Sequence, residues 1–282
     1  MLARVPASSA NLGPGFDALA VALDVHVEVS VEVSDHLEVD TEGEGAELPT
    51  DVTHLAARVA SKVAGHDRLA IRVRSDIPVG RGLGSSAALA VAAAAAAGSV
   101  DPMVEGVEVD GHPDNAAAAA RGGLVAATFV AGGPVVRRLP LDPALHAVLV
   151  IPDRPLATTE ARAALGAHVP HRDAAFNLGR LAILIAGLAD HRELVPEAFD
   201  DRLHQDARAA LFPEAPDLLE ELKGAGALGA CWSGAGPTLL AVTTAAAAAD
   251  VAAAADVALA RHRVAGRTLS AAFASQGVTI VA

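Results

Sequence analysis

The sequence predicts an α+β protein of two domains. Three observations carry that reading. The chain has 282 residues, 52% of them hydrophobic and 20% charged, which is enough for two ordinary domains with their own cores and too apolar for a disordered chain. Segments with a period of two and segments with helical spacing are interspersed, without the regular strand–helix repetition of a doubly wound sheet. Pro140 and Pro143 flank Leu141 and Asp142 and place a boundary near residues 139–143, dividing the chain into 1–142 and 143–282.

The elements follow in order. A short N-terminal strand precedes Ser8. Across residues 25–33 valines alternate strictly with polar side chains, which predicts a strand with one buried and one wet face. Leu55, Val59 and Val63 recur at helical spacing after Thr50 and Asp51, and residues 69–74 form the next strand. A turn with Pro78, Gly80 and Gly82 leads into an alanine-rich helix over 85–97. Residues 124–130 read as a strand, broken by Gly132, Gly133 and Pro134.

In the second half, residues 145–151 read as a strand and 158–165 and 174–188 as helices. Residues 199–222 are helical in pieces, interrupted at Pro213 and Pro216. Strands over 227–233 and 238–242 are joined by a glycine turn, a long alanine helix covers 245–261, and residues 278–281 close the chain as a strand. No fixed-period repeat occurs. Alanine makes up about a quarter of the residues, above ordinary usage, and is read as a drift towards small helix formers.

Composition excludes several classes. The longest unbroken apolar run, residues 87–97, is 11 residues long, too short to cross a bilayer. The N-terminal MLARVPASSANLGPGF lacks the apolar core of a signal peptide. The one cysteine, Cys231, has no internal disulfide partner. A soluble, cytoplasmic protein is expected. With 21 basic against 34 acidic residues the net charge is −13, and no concentrated basic face offers a polyanion partner. The only lysines, Lys62 and Lys223, lie outside any G-x-x-x-x-G-K-[ST] loop.

Four strings carry chemistry. Residues 78–88 read P-V-G-R-G-L-G-S-S-A-A. The glycines free successive backbone N–H groups to converge on an anion, and the helix that follows adds its positive end. Ser85 and Ser86 can bond a phosphate or reach magnesium; a plain glycine turn with a serine cap is the competing reading. Residues 108–115, E-V-D-G-H-P-D-N, bring carboxylates, an imidazole and an amide together, as hard oxygen ligands for magnesium or simply as a solvated turn. Residues 8–17, S-S-A-N-L-G-P-G-F-D, place Asn11 and Asp17 around a Gly-Pro-Gly turn. Residues 233–238, S-G-A-G-P-T, form a further glycine turn. His112 has no partner at zinc spacing, and no G-x-S-x-G supports acyl transfer.

Together, in this order, the four strings resemble the GHMP small-molecule kinases, over nearly the whole chain. Residues 78–88 look like that family's phosphate-binding motif and 233–238 like its C-terminal glycine motif. A-S-S-A-N-L-G-P-G-F-D over 7–17 and G-H-P-D-N over 111–115 are similar to its homoserine kinase branch in particular. The resemblance implies the two-domain GHMP kinase fold, with a ferredoxin-like α+β second domain and the active site in the cleft between the domains. It implies transfer of the ATP γ-phosphoryl group to the side-chain hydroxyl of L-homoserine, giving O-phospho-L-homoserine for threonine biosynthesis, and it suggests a homodimer.

Carried over residue by residue, Pro78, Gly80, Arg81, Gly82, Leu83, Gly84, Ser85, Ser86, Ala87 and Ala88 would wrap ATP, with His54 near the adenine where relatives often have Asn. Asn11, Asp17, His112, Arg208 and Ser233 would face the substrate. Asn115, Thr158 and Arg162 would serve catalysis, the last two through A-T-T-E-A-R over 157–162. Ser86 and Glu108 would hold Mg2+, with Glu105 and Asp110 as alternatives. Two guanidiniums suit a carboxylate and one aspartate suits an ammonium; homoserine carries both groups.

The pattern departs from the family in Asp110, where Glu is usual, in His54, and in a shortened stretch around 98–104. Relatives use an aspartate base where this chain has Asn115, whose amide cannot take a hydroxyl proton. A direct in-line transfer without a protein base is therefore expected, with positioning and charge neutralisation carrying catalysis. A mevalonate-type kinase of the same fold and a non-catalytic nucleotide-binding relative are the alternatives.

Overall fold

A computed structural model describes residues 1–281. The first of two sheets has seven strands. β1 (Leu2–Ala10) runs antiparallel to the long β2 (Leu19–Val33), and β3 (Glu38–Gly43) forms an edge parallel to β4 (Leu69–Ser75), which pairs antiparallel with β2. β5 (Leu124–Val130) pairs with the start of β2 and with β6 (Gly133–Leu139). The second sheet is antiparallel throughout, in the order β10-β7-β9-β8, from β7 (Leu145–Pro152), β8 (Gly229–Trp232), β9 (Leu239–Thr244) and β10 (Gly266–Ala272). The closing strand β11 (Thr279–Val281) returns to pair with β1, so the chain's end belongs to the first sheet.

Helices α1 (Leu55–Ala64), α2 (Ser85–Ala96), α3 (Pro102–Asp110) and α4 (Pro113–Arg121) cluster with the first sheet, α2 and α4 lying on β1 and β2. After β7 come α5 (Thr158–Ala163), α6 (His171–Ala189), α7 (Gln205–Ala209), α8 (Ala215–Gly224) and α9 (Ala248–Arg261). β7 is sandwiched: Leu145, Ala147, Leu149 and Ile151 face a core shared with the first sheet, whereas Val148 and Val150 face α8 and α9. That double burial explains its unbroken apolar run.

The valine alternation of β2 holds from Val25 to Val31, while Val33 is 82% exposed where the strand leaves the core. Upstream the period disappears because both faces are covered: Leu19, Val21 and Leu23 enter the shared core, and Ala20 and Ala22 pack with α3 and α4. The alanines of α2 have a packing purpose beyond compositional drift. Nine of its residues are buried among α1, α3, α4, β1 and β2, and a methyl side chain lets those backbones approach.

Five elements were not expected from the sequence. β3, β6 and β10 carry few apolar residues and pair at sheet edges or in a hairpin, so they have no strong periodic signal. α3 and α4 were obscured by turn-type residues: each has proline in its first turn, and they meet at a joint where Gly111 ends one in the left-handed conformation and His112 opens the other. Pro216 does not interrupt a helix; it sits in the first turn of α8, where its missing N–H costs nothing. Among the described residues, no helix is long and apolar enough to cross a membrane.

Candidate active site

The chain between β4 and α2 must turn sharply, and Gly80, Gly82 and Gly84 all take positive φ. At two of these positions space as well as φ demands glycine. A Cβ on Gly82 would collide with the carbonyl of Ser233 and the backbone of Gly236, and one on Gly84 with the Ser8 hydroxyl and the Asn115 amide. The loop is thus clamped between the first strand, α4 and the 233–236 turn. Gly84 caps α2 without a side-chain bond, which leaves the first-turn N–H groups of the helix available to an anion.

This helix start forms one wall of a cavity of about 460 Å³, lined there by Gly80, Gly82, Gly84, Ser85 and Ser86. The same cavity is lined by Asn11, Asp17, His112, Asn115, Thr158, Arg162 and Arg208. Residues from both halves of the chain therefore converge on one space.

Asp17 accepts two hydrogen bonds from Arg162, from Nη1 at 3.1 Å and Nη2 at 2.8 Å. Its φ of +53° is sustained by Asn11, whose Oδ1 accepts the Asp17 N–H at 3.0 Å while its Nδ2 donates to the Gly234 carbonyl at 2.8 Å. Arg208 is buried and donates through Nη1 to the Gly234 carbonyl at 2.9 Å. Burial, then the neighbouring Arg162 charge, lowers its pKa to about 10, so it stays cationic at neutral pH. The Phe16 ring lies 5.6 Å from each of the two guanidinium carbons and spaces them. Asn115 Oδ1 accepts from the Ser8 hydroxyl at 2.9 Å.

The Ser86 hydroxyl donates to Asp110 Oδ1 at 2.6 Å, and both residues line the cavity. Burial pushes the Asp110 carboxyl up, against the opposing Ser86 bond. The geometry corrects the choice of Glu108 as the favoured carboxylate. Glu105 and Glu108 share one face of α3, and both bind Lys62 of α1, which holds Glu108 below the usual carboxylate range. Asp110, about 200° further round the helix, turns to the cavity instead.

Other expected positions also lie off the cavity wall. His54 is buried as the N-cap of α1, its Nδ1 accepting the Ala56 N–H at 3.2 Å, and burial lowers its pKa. The Ser233 hydroxyl donates to the Gly82 carbonyl at 2.7 Å and lies 2.8 Å from Ser9 Oγ, locking the glycine loop from behind. Arg81 ties the loop to the carbonyls of Val79, Pro152 and Asp153. Leu83, Ala87 and Ala88 are core residues, and Pro78 does not line the cavity.

Two cavity residues with polar side chains escaped sequence reasoning. Asp114 stands inside the G-H-P-D-N string beside Asn115, whose N–H it accepts at 2.7 Å. It is 3% exposed, and burial raises its pKa to about 6, the Asn115 N–H opposing and the Asp17 charge adding to the rise. Its signal was a third carboxylate in the 108–115 string, after Glu108 and Asp110. Thr159 lies next to Thr158 at the start of α5 and also lines the cavity.

A glycine loop at a helix start, sharing a cavity with paired opposite charges, has the construction of a small-molecule phosphotransferase site. The chain matches the GHMP kinases N terminal domain over residues 51–123 and the GHMP kinases C terminal domain over residues 177–258. It belongs to the GHMP kinase family, and is an ATP-dependent small-molecule kinase. It is similar to the homoserine kinase of Streptomyces coelicolor, 41% identical over 260 residues that cover 86% of this chain and 84% of the relative. It is similar to that of Streptomyces avermitilis, 42% identical over 265 residues covering 87% and 86%. Among solved structures, the homoserine kinase of Cytophaga hutchinsonii superposes with a TM-score of 0.85 at 26% identity, covering 100% of this chain and 97% of the other.

Proposed function

We propose that this chain transfers the γ-phosphoryl group of ATP to the side-chain hydroxyl of L-homoserine, forming O-phospho-L-homoserine. The observation that carries the reading is Asp17 paired with Arg162 beside Arg208, in the same cavity as the α2 helix start. A zwitterion answers that wall: its ammonium suits Asp17 and its carboxylate the two guanidiniums. A hydroxy acid without an ammonium would leave Asp17 without a cation of its own.

The nucleotide phosphates would lie on the N–H groups of the glycine loop, with Ser85 and Ser86 supplying hydroxyls. Ser86 and Asp110 offer adjacent hard oxygens in the cavity and fit Mg2+, which supplies neutralisation of phosphate charge when bound. Asn115, fixed by Ser8, would hold the acceptor hydroxyl, with His112, Thr158 and Thr159 completing the wall. Holding the hydroxyl in line with the γ-phosphate is the main task left to the protein, because a loose transition state places little demand on a base. The proposal includes a division into domains 1–142 and 143–282, with β11 returning to the sheet of the first, a cytoplasmic location and a homodimer.

The deciding experiment incubates the purified chain with ATP and Mg2+, with and without L-homoserine, and follows ADP release and the product by phosphorus NMR. Homoserine-dependent ADP and a phosphomonoester signal are expected. Faster turnover of mevalonate, or ADP release indifferent to homoserine, would overturn the assignment.

A further inference from the structure

A guanidinium on a flexible stem can present any of five N–H groups, so a buried arginine aimed at a carboxylate needs its direction set. Arg208 is held by His204, one helical turn earlier at the N-cap of α7. Arg208 Nη1 lies 2.9 Å from His204 Nδ1 and 2.9 Å from the Gly234 carbonyl, which commits both of its hydrogens. Nε points to the Ala161 carbonyl at 3.5 Å. Among the described residues, Nη2 alone keeps both N–H groups without a protein partner, on a side chain that lines the cavity.

The tautomer of His204 follows from its neighbours. Arginine can only donate, so Nδ1 must be the bare acceptor and Nε2 must carry the proton, which it donates to the Gly13 carbonyl at 2.9 Å. The ring is 1% exposed and stacks on Phe16, with centroids 5.1 Å apart and planes inclined by 27°. Burial holds the imidazole well below its usual range. The Arg208 cation acts in the same direction, against the carboxylates of Asp201 and Asp17.

We propose that His204 is a positioning residue for the substrate carboxylate: its neutral ring fixes Arg208 with Nη2 presented to the cavity, and so sets the preference for amino alcohols bearing a carboxylate over those lacking one. This rests on the homoserine reading. His204 does not line the cavity; it reaches the carboxylate through Arg208, while its bond to Gly13 and its stacking on Phe16 hold the neighbouring turn.

The test compares kcat/KM for homoserine and for 3-aminopropan-1-ol, which lacks the carboxylate, in the parent, His204→Met and His204→Gln. Glutamine and methionine have similar length and volume, but only the amide can accept from Arg208 and donate to Gly13. The homoserine preference should fall by ~10-fold or more in His204→Met, chiefly through KM, and stay within about threefold of the parent in His204→Gln. A merely structural role would lower both substrates together and leave the ratio unchanged; that result overturns the proposal. A parent without preference for the carboxylate would instead refute the reading of the site beneath it. Nitrogen-15 NMR of the labelled full chain, with His204→Gln assigning the resonance, decides the matter even if His204→Met fails to fold. A neutral ring protonated on Nε2 at pH 7 is expected, and a cationic ring or an Nδ1–H tautomer contradicts the arrangement.

Discussion

Replacing Asp17 with Asn tests the charge logic of the cavity most directly. The substitution keeps the shape and suits the backbone, because asparagine tolerates the left-handed conformation that residue 17 adopts. The bond from its N–H to Asn11 Oδ1 needs no side chain and survives. What disappears is the negative charge, and with it one side of the two-bond contact to Arg162.

The magnitude follows from what substrate binding would exchange. In the free protein Asp17 is neutralised by Arg162. Homoserine would bring its own ammonium to Asp17 and give its carboxylate to Arg162 and Arg208, so two ion pairs replace one. A hydrogen bond to a charged group contributes about 1.5–3 kcal/mol, and because the Asp17 and Arg162 side chains are 32% and 39% exposed the lower end applies. A loss of ~1.5 kcal/mol is about tenfold in kcat/KM. The assay sets homoserine against 4-hydroxybutyrate, its analogue without the amino group, in parent and variant. The parent should strongly prefer homoserine, and Asp17→Asn should lose about tenfold of that preference while Mg-ATP binding barely changes. An unchanged preference, or equal losses on both substrates, would remove Asp17 from the ammonium site.

Four further substitutions probe the rest of the site. Ser86→Ala should lower turnover by ~10-fold or more through loss of a hydroxyl at phosphate and metal, and parental rates across magnesium concentrations would reduce Ser86 to a helix residue. Asp110→Asn should raise the magnesium concentration needed for half-maximal rate, whereas Glu108→Gln, on the Lys62 face, should not; the reverse pattern would restore Glu108 as the ligand. Asp114→Asn carries two expectations. Its folded pKa of about 6 exceeds the unfolded value of 3.8, so the buried charge costs stability that is absent below pH 3.8, grows between the two values and is full above pH 6. The variant should therefore gain thermal stability at pH 7.5, by at most about 3 kcal/mol, and gain none at pH 4. Direct transfer predicts a kcat loss under ~10-fold for this variant, and a fall above ~100-fold would make Asp114 a general base.

The sequence disclosed the site better than the scaffold around it. The glycine loop, Asn11, Asp17, Asn115 and Arg162 stand in short strings whose residue types announce charge and turn chemistry. The missed strands β3 and β10 owe their pairing to neighbours far along the chain, and β6, the hairpin partner of β5, opens on Gly133 and Pro134 without alternation, so no local period marks them. Direction on a helix was the other blind spot. Glu105, Glu108 and Asp110 are equivalent as carboxylates within six residues; which of them meets Lys62 of α1 and which meets Ser86 of α2 depends on the tertiary placement of α3. His54 and Ser233 show the same limit, since each is polar but buried and bonded to backbone groups of the fold away from the cavity.

Those inward-facing polar groups determine which parts of the cavity can move. The glycine loop is fastened to the second half of the chain by Ser233 on the Gly82 carbonyl, and Asn11 and the Gly234 N–H tie the first strand to the same turn. Each of these bonds is buried or partly so, where a lost hydrogen bond costs more than it would in water. The phosphate wall and the Asn11 turn are accordingly preorganised. The Asp17–Arg162 contact is different: it is a third exposed, and Arg162 comes from α5, a helix of six residues with no side-chain cap. The charges that would meet the amino acid thus sit on the part of the wall that can open at least cost. Nucleotide binding should need little rearrangement, whereas substrate entry must separate one ion pair before it forms two.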